Sequence, residues 1–166
     1  MRLLKEIKDA DLPSDESGLK FREASRAVLF DDAGLVPLLF VARHKYHKLP
    51  GGGIEGQEGR LAALIREVRE EVGSEIHIKG EVGLIVEFRS RWSLKQVSYC
   101  YVGRVLSKGS PRFTEEEARS GFRLIWLPLA EAIAALEGDK PQDYEGKFIQ
   151  QRDVCFLRAV RDAMSR

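Results

Sequence analysis

An α/β fold, a mixed sheet flanked by helices, is what the sequence predicts, and three observations predict it. Strand-like runs outnumber helical ones. The connections between them include both short hairpin-type turns and longer helical crossovers. Two segments place apolar residues at i, i+3, i+4 and i+7, the period of a helix packed on a core. The 166 residues are enough for one hydrophobic core and show no compositional break, so residues 1–166 are expected to form a single domain.

In chain order, "RLLKEI" reads as a short strand or helix, and "LPSDESG" (residues 12–18) carries turn chemistry. "REASRAVLF" and "LVPLLFVAR" are two apolar strand runs, separated by "DDAG" as in a hairpin. A glycine loop and a helix ending near Gly73 follow. "EIHIKGEVGLIVEF" is strand material with a glycine break, and "QVSYCYVGRVL" alternates as a strand does. "SKGSPRFTEEEARSG" reads as a polar loop. "FRLIWLPL" returns to a strand, with Pro128 in the first turn of the next helix. The tail from about 144 to 165 spaces Ile149, Phe156, Val160 and Ala163 as an amphipathic terminal helix.

Charge narrows the function classes. Lys plus Arg (27) nearly cancels Asp plus Glu (26), so the basic excess of a duplex-wrapping protein is lacking and no stable nucleic-acid partner is expected. No apolar stretch approaches membrane-spanning length and no secretory apolar region opens the chain, which argues for no membrane partner and a cytoplasmic setting. Cys100 and Cys155 match no zinc spacing and sit in apolar runs, as buried free thiols do.

The chemistry concentrates in "LPGGGIEGQEGRLAALIREVREEVG", residues 49–73. Leu61, Leu64, Ile65, Val68 and Val72 fall on one helical stripe, and Glu67, Glu70 and Glu71 share the opposite, outward arc. Each like-charge pair on an exposed helix costs about 0.2–0.5 kcal/mol, and Arg66 offsets only part of that. On this basis, neutralising Glu71 should leave the fold no less stable. An isolated acidic stretch is read as a solvated face. Three consecutive glycines change the balance, because they let backbone approach where a side chain would block it. A loop carbonyl with two or three helix carboxylates makes an all-oxygen site for a hard divalent cation, which turns the repulsion into ligation.

The stretch resembles the signature box of the Nudix hydrolases, MutT-like, through Gly52, Glu58, Arg66, Glu67, Val68, Glu70, Glu71 and Gly73. Ser74 is the one departure, where the pattern asks for an apolar residue; it touches packing after the helix. The box covers about residues 52–74. The resemblance implies an α/β/α sandwich with a mixed sheet and, with Mg²⁺ or Mn²⁺, cleavage of a diphosphate bond in a nucleoside diphosphate linked to another group. It further implies Glu67, Glu70 and Glu71 as metal ligands joined by the Gly52 carbonyl, with Glu67 alternatively polarising the attacking water. Arg66, counted with these carboxylates in the catalytic set, and Glu58 would act as braces, and Arg43, ending the strand before the glycine loop, would bind phosphate or else be a solvated strand end. The physics agrees: cations bridging phosphate oxygens remove the repulsion that an attacking water meets.

Other signals are weaker. His44 and His47 lie three apart without a cysteine partner, which argues against zinc and for solvation ahead of substrate contact. Relatives often draw an extra carboxylate from outside the box; Glu115, Glu116 and Glu117 are the preferred source here, and Glu87, ending a strand, is another, each weighed against a solvated surface group. In "RSRWSLKQVSYCY", Trp92, Tyr99 and Tyr101 could stack a base while Arg89, Arg91 and Lys95 meet phosphate, against core packing for alternate residues. The expected partner is a small-molecule nucleotide, and a homodimer is left open. With no substrate-specific signature present, a nucleoside triphosphate is the default, ADP-ribose or a nucleotide sugar the alternative. A non-catalytic nucleotide sensor on the same fold is the rival of another class, disfavoured by the intact box.

Overall fold

In the computed structural model residues 1–9 and 15–166 are described, so Leu12–Ser14 of the expected turn lie outside the described residues. Among the described residues eight strands and four α-helices follow one another as β1 (Leu3–Lys8), β2 (Lys20–Phe30), β3 (Leu35–Val41), β4 (Tyr46–Lys48), β5 (Gly51–Gly53), α1 (Arg60–Glu71), β6 (Glu75–Arg89), β7 (Leu94–Ser107), α2 (Glu115–Arg119), β8 (Phe122–Pro128), α3 (Leu129–Gly138) and α4 (Tyr144–Met164). A five-stranded sheet runs in the order β1-β6-β7-β2-β5, and a three-stranded sheet in the order β4-β3-β8. The larger sheet is mixed. β1 with β6 and β2 with β7 are parallel, and the other neighbours are antiparallel.

Side-chain alternation assigns the two faces of the larger sheet. Ala27 and Leu29 of β2 with Val97, Tyr99 and Tyr101 of β7 pack on Leu64, Val68 and Val72 of α1. Val28, Ile85 and Cys100 face the other way, onto Phe148, Phe156, Leu157 and Val160 of α4 and Ala132, Ile133 and Leu136 of α3. Helices therefore cover both faces, as the α/β/α expectation required.

Several expectations need correction. The Asp31–Gly34 turn is tight, with the Gly34 N–H donating to the Asp31 carbonyl at 3.0 Å, but β2 and β3 diverge into different sheets instead of zipping as a hairpin. The long strand β6 absorbs its glycines as register shifts around Gly80 and Gly83, and does not break. The polar loop contains α2, closed by a capping box in which the Thr114 side chain accepts from the Glu117 N–H while the Glu117 side chain accepts from the Thr114 N–H. Leu61, placed on the core stripe of α1, is 45% exposed; Ala63, fully buried, takes the inward position. Ala163 of α4 is exposed as well. Among the described residues no helix is long and apolar enough to cross a membrane.

Candidate active site

The glycine run is strand β5, paired antiparallel with β2 so that Gly51, Gly52 and Gly53 lie opposite Arg26, Ser25 and Ala24. α1 then crosses over β5 and closes on Gly73, whose φ of 66° ends the helix in the left-handed conformation that glycine favours. The need for glycine is steric. A Cβ on Gly52 would fall on the Glu67 carboxylate, and a Cβ on Gly51 would fall on the Ser25 carbonyl. Gly52 thus clears the space in which a helix carboxylate lies against bare backbone.

This reverses part of the reading of α1. Glu67 and Glu71 are not on an outward arc: Glu67 is 9% exposed and Glu71 1%, while Glu70 is half-buried. The buried arc of the helix is wide, Ala63, Leu64, Glu67, Val68 and Glu71, because β5 offers no side chains to push the two acids away. Each acid has a named cation. Arg66 Nη1 donates to Glu67 Oε1 at 2.8 Å. Arg66 is itself held by Glu58 Oε1 at 2.6 Å and the Gly53 carbonyl at 3.1 Å. The hydrogen bond to Glu58, then that to Glu67, raises the Arg66 pKa despite partial burial. Lys48 Nζ donates to Glu71 Oε1 at 2.7 Å and the Gly51 N–H donates to Glu71 Oε2 at 2.8 Å. Burial nonetheless pushes the Glu71 carboxyl above its ordinary range, against the pull of Lys48 and Gly51. Glu70 is also raised, by burial and then by the charge of Glu67.

Among the described residues no three acid, histidine or cysteine side chains converge closely enough to hold a cation as they stand. The reason is visible: Glu67 and Glu71 are turned to Arg66 and Lys48. The donor set still suits a hard divalent cation, with carboxylates from successive turns of one helix and a strand whose backbone is uncovered at Gly52.

The remaining candidates scatter. Arg43 is exposed, two residues beyond β3, and its backbone N–H is tied to the Ser120 carbonyl at 3.0 Å. Of the acids on α2, Glu117 is the one whose charge reaches Glu70; Glu115 is spent on Arg119 at 2.8 Å, and Glu116 is exposed. The Arg112 N–H donates to the Glu70 carbonyl at 2.7 Å and pins the segment before α2 to the end of α1. Trp92 is 43% exposed and meets Tyr144 edge-on at 5.4 Å, with Arg91 4.8 Å above the Tyr144 ring. Arg89 and Lys95 are committed elsewhere, to Glu87 and Glu145 and to Glu16. Tyr99 and Tyr101 pack in the core under α1. His47 is not solvated: its ring and its N–H both meet Asp139, which ties β4 to the end of α3.

Glu87 is the largest surprise. It is fully buried, and it accepts from Arg89 Nη2 at 2.9 Å, Gln96 Nε2 at 2.8 Å and Arg152 Nη1 at 3.4 Å. Its pKa reflects burial pushing up and, outweighing it, Arg152 and Arg89 pulling down. Arg152 also bonds Asp153 at 2.7 Å, and Asp153 accepts the Leu49 N–H at 2.8 Å. A polar layer therefore runs inside the sheet–α4 interface and reaches the strand beside the glycines. Lys48, Arg26, Arg152 and Tyr144 were missed in the sequence. Single charges inside apolar runs, as in "REASRAVLF" and "HKLPGGG", were the available signal for the first two.

A NUDIX domain family model matches residues 20–148. Diphosphoinositol polyphosphate phosphohydrolase 3-beta of Homo sapiens is 30% identical over 131 residues, covering 76% of this chain and 75% of that protein. Diphosphoinositol polyphosphate phosphohydrolase 2 of Mus musculus is 29% identical over 128 residues, covering 76% and 68%. Among solved structures, a NUDIX hydrolase from Nitrosomonas europaea superposes with a TM-score of 0.63 at 18% identity, over 87% of this chain and 90% of that one. The chain belongs to the Nudix family. It is a hydrolase of phosphoric anhydride bonds.

Proposed function

We propose that this protein hydrolyses, with Mg²⁺ or Mn²⁺, a diphosphate bond in a nucleoside diphosphate linked to another group, in a cytoplasmic setting. One observation carries the reading: three carboxylates of α1, two of them buried, lie over a strand of glycines in which a single Cβ would evict Glu67. Glu67, Glu70 and Glu71 are the cation ligands in this reading, with Gly52 beside them. When bound, the cation neutralises the phosphate oxygens and makes a hydroxide available near neutral pH. The chain's own residues aim the acids. Arg66, fixed by Glu58 and Gly53, orients Glu67; Lys48 and the Gly51 N–H orient Glu71. Glu117 is the extra carboxylate in this scheme, and Arg43 meets phosphate at the mouth.

The stacking platform is Trp92 with Tyr144, flanked by Arg91. Trp92→Ala should then raise KM about tenfold with kcat little changed, the mark of uniform binding lost. Steady-state kinetics on the preferred substrate check this, and an equal fall in kcat and kcat/KM would place Trp92 in the chemistry instead.

A second substrate reading has a specific support: the relatives at 29–30% identity are named for diphosphoinositol polyphosphates. A phosphate-release screen with Mg²⁺ across nucleoside triphosphates, ADP-ribose, nucleotide sugars and diphosphoinositol polyphosphates separates the two. Turnover of a nucleotide supports the first reading, and turnover confined to the inositol compounds replaces it with the second. Inactivity on every class would return the chain to a nucleotide sensor.

A further inference from the structure

Burying a cation without a counter-charge is costly, and proteins pair such groups almost without exception. Lys48, Arg89 and Arg152 obey that rule, through Glu71, Glu87 with Glu145, and Asp153 with Glu87. Arg26 does not. It is 6% exposed, and among the described residues no carboxylate approaches it within ion-pair distance. Its Nε and Nη1 have no hydrogen-bond partner, nor do Arg152 Nη2 and the Gln96 carbonyl oxygen in the same layer. Burial and then the charge of Arg152 draw the Arg26 pKa down to about 10, while Asp153, Glu71 and Glu87 resist. Among the described residues the buried carboxylates of this region, Glu71, Glu87 and Asp153, are bonded to Lys48, Arg89 and Arg152, and none of them to Arg26.

Position gives the unpaired Arg26 a meaning. Arg26 sits on β2 directly opposite Gly51, and the Gly51 N–H is bonded to Glu71. Its side chain is directed to the α4 face of the sheet, the face of Val28, where Glu87, Arg152 and Asp153 lie. The Arg26 backbone is thus one strand pairing away from Gly51 and Glu71, whose charge is felt at the guanidinium. A guanidinium whose Nε and Nη1 are unused can donate to an oxyanion, and a phosphate is the oxyanion that an anhydride hydrolase handles.

We propose that Arg26 anchors a phosphate group of the substrate, on the sheet side of the Glu71 end of α1. The name of the ligand rests on the hydrolase reading above; the binding itself does not need the metal. Two consequences follow. Wild-type protein is held below its attainable stability by an unpaired interior charge, and phosphate relieves that cost. A neutral side chain of similar length removes both the cost and the response.

The test is thermal unfolding in EDTA, so that no cation mediates, with inorganic phosphate and then pyrophosphate as probes. Arg26→Met and Arg26→Lys are compared with wild type, and Arg161→Met, an exposed site at the far end of α4, controls for net charge. Wild type and Arg161→Met should show a saturable rise of roughly 5 °C at a hundredfold excess over Kd. Arg26→Met should melt a few degrees higher than wild type without ligand and bind the probe at least about tenfold more weakly. Arg26→Lys, which keeps the charge and loses the fork, should respond weakly. No saturable response in wild type, or an undiminished response in both Arg26 variants, overturns the proposal. Turnover that survives EDTA with the phosphate response intact would instead count against the cation reading of α1 alone.

Discussion

Glu67→Gln and Glu71→Gln should each lose about a thousandfold or more in kcat, since the Lewis-acid contribution of a ligated cation is several kcal/mol. The two substitutions should differ in stability. At Glu71 the helix pattern alone suggested relief of repulsion, but the carboxylate is buried and bonded to Lys48 and Gly51. Gln leaves the Lys48 ammonium without a counter-charge and turns an amide that must present either its oxygen or its N–H to Gly51. Removing that partner should cost about 1–3 kcal/mol. Glu67→Gln keeps an oxygen for Arg66, which still has Glu58 and Gly53, and should be close to neutral in stability. Thermal melts beside kcat measured against metal concentration check both. Partial rescue by excess Mg²⁺ or Mn²⁺ marks a lost ligand; a lost base is not rescued.

Glu87→Gln should be the most destabilising single exchange in the polar layer. It leaves Arg89 and Arg152 buried with one carboxylate each, Glu145 and Asp153, and should cost about 3–5 kcal/mol, roughly 10 °C in Tm. A surface carboxylate at the same place would cost less than about 0.5 kcal/mol. The pH dependence has a definite sign. The folded-state pKa of Glu87 lies below its ordinary value of 4.5, so its contribution is complete above that value and is lost as pH falls through the folded pKa. Wild-type stability should therefore drop on acidification below about 4.5, and the drop should be smaller in Glu87→Gln. Denaturant midpoints measured across that range decide it.

The box on α1 was legible because its spacing is chemical: glycines, then acids at i, i+3 and i+4, with Leu64, Val68 and Val72 marking the core side. Helical period alone could not place Glu67 and Glu71, since period reports where apolar residues go and assumes that acids go the other way. Gly52 breaks that assumption by removing the one Cβ that would exclude a carboxylate. The polar layer was illegible for a related reason. Arg26, Glu87 and Gln96 alternate with apolar neighbours as solvent-facing residues would, and only the covering helix α4, with Arg152 and Asp153, makes that face interior. Helix α2 was readable in principle from Thr114 and Glu117, three apart, but no apolar run follows to mark a helix. The turn at Asp31–Gly34 looked like any hairpin turn, because divergence of its strands is decided by what each strand pairs with later.

Chelation tests the central claim most directly. Phosphate release from the substrate that the screen selects is measured in Mg²⁺, in EDTA, and after Mg²⁺ or Mn²⁺ is restored, with circular dichroism recorded alongside. The α1 stripe of Leu64, Val68 and Val72 is fully buried, and each such side chain contributes roughly 1.5–3 kcal/mol, so the helix should stay folded without metal. The prediction is turnover reduced about a thousandfold or more in EDTA, recovered on adding the cation, with the dichroism spectrum unchanged throughout. Turnover that survives EDTA would contradict the account, as would a chain that unfolds when the cation is removed.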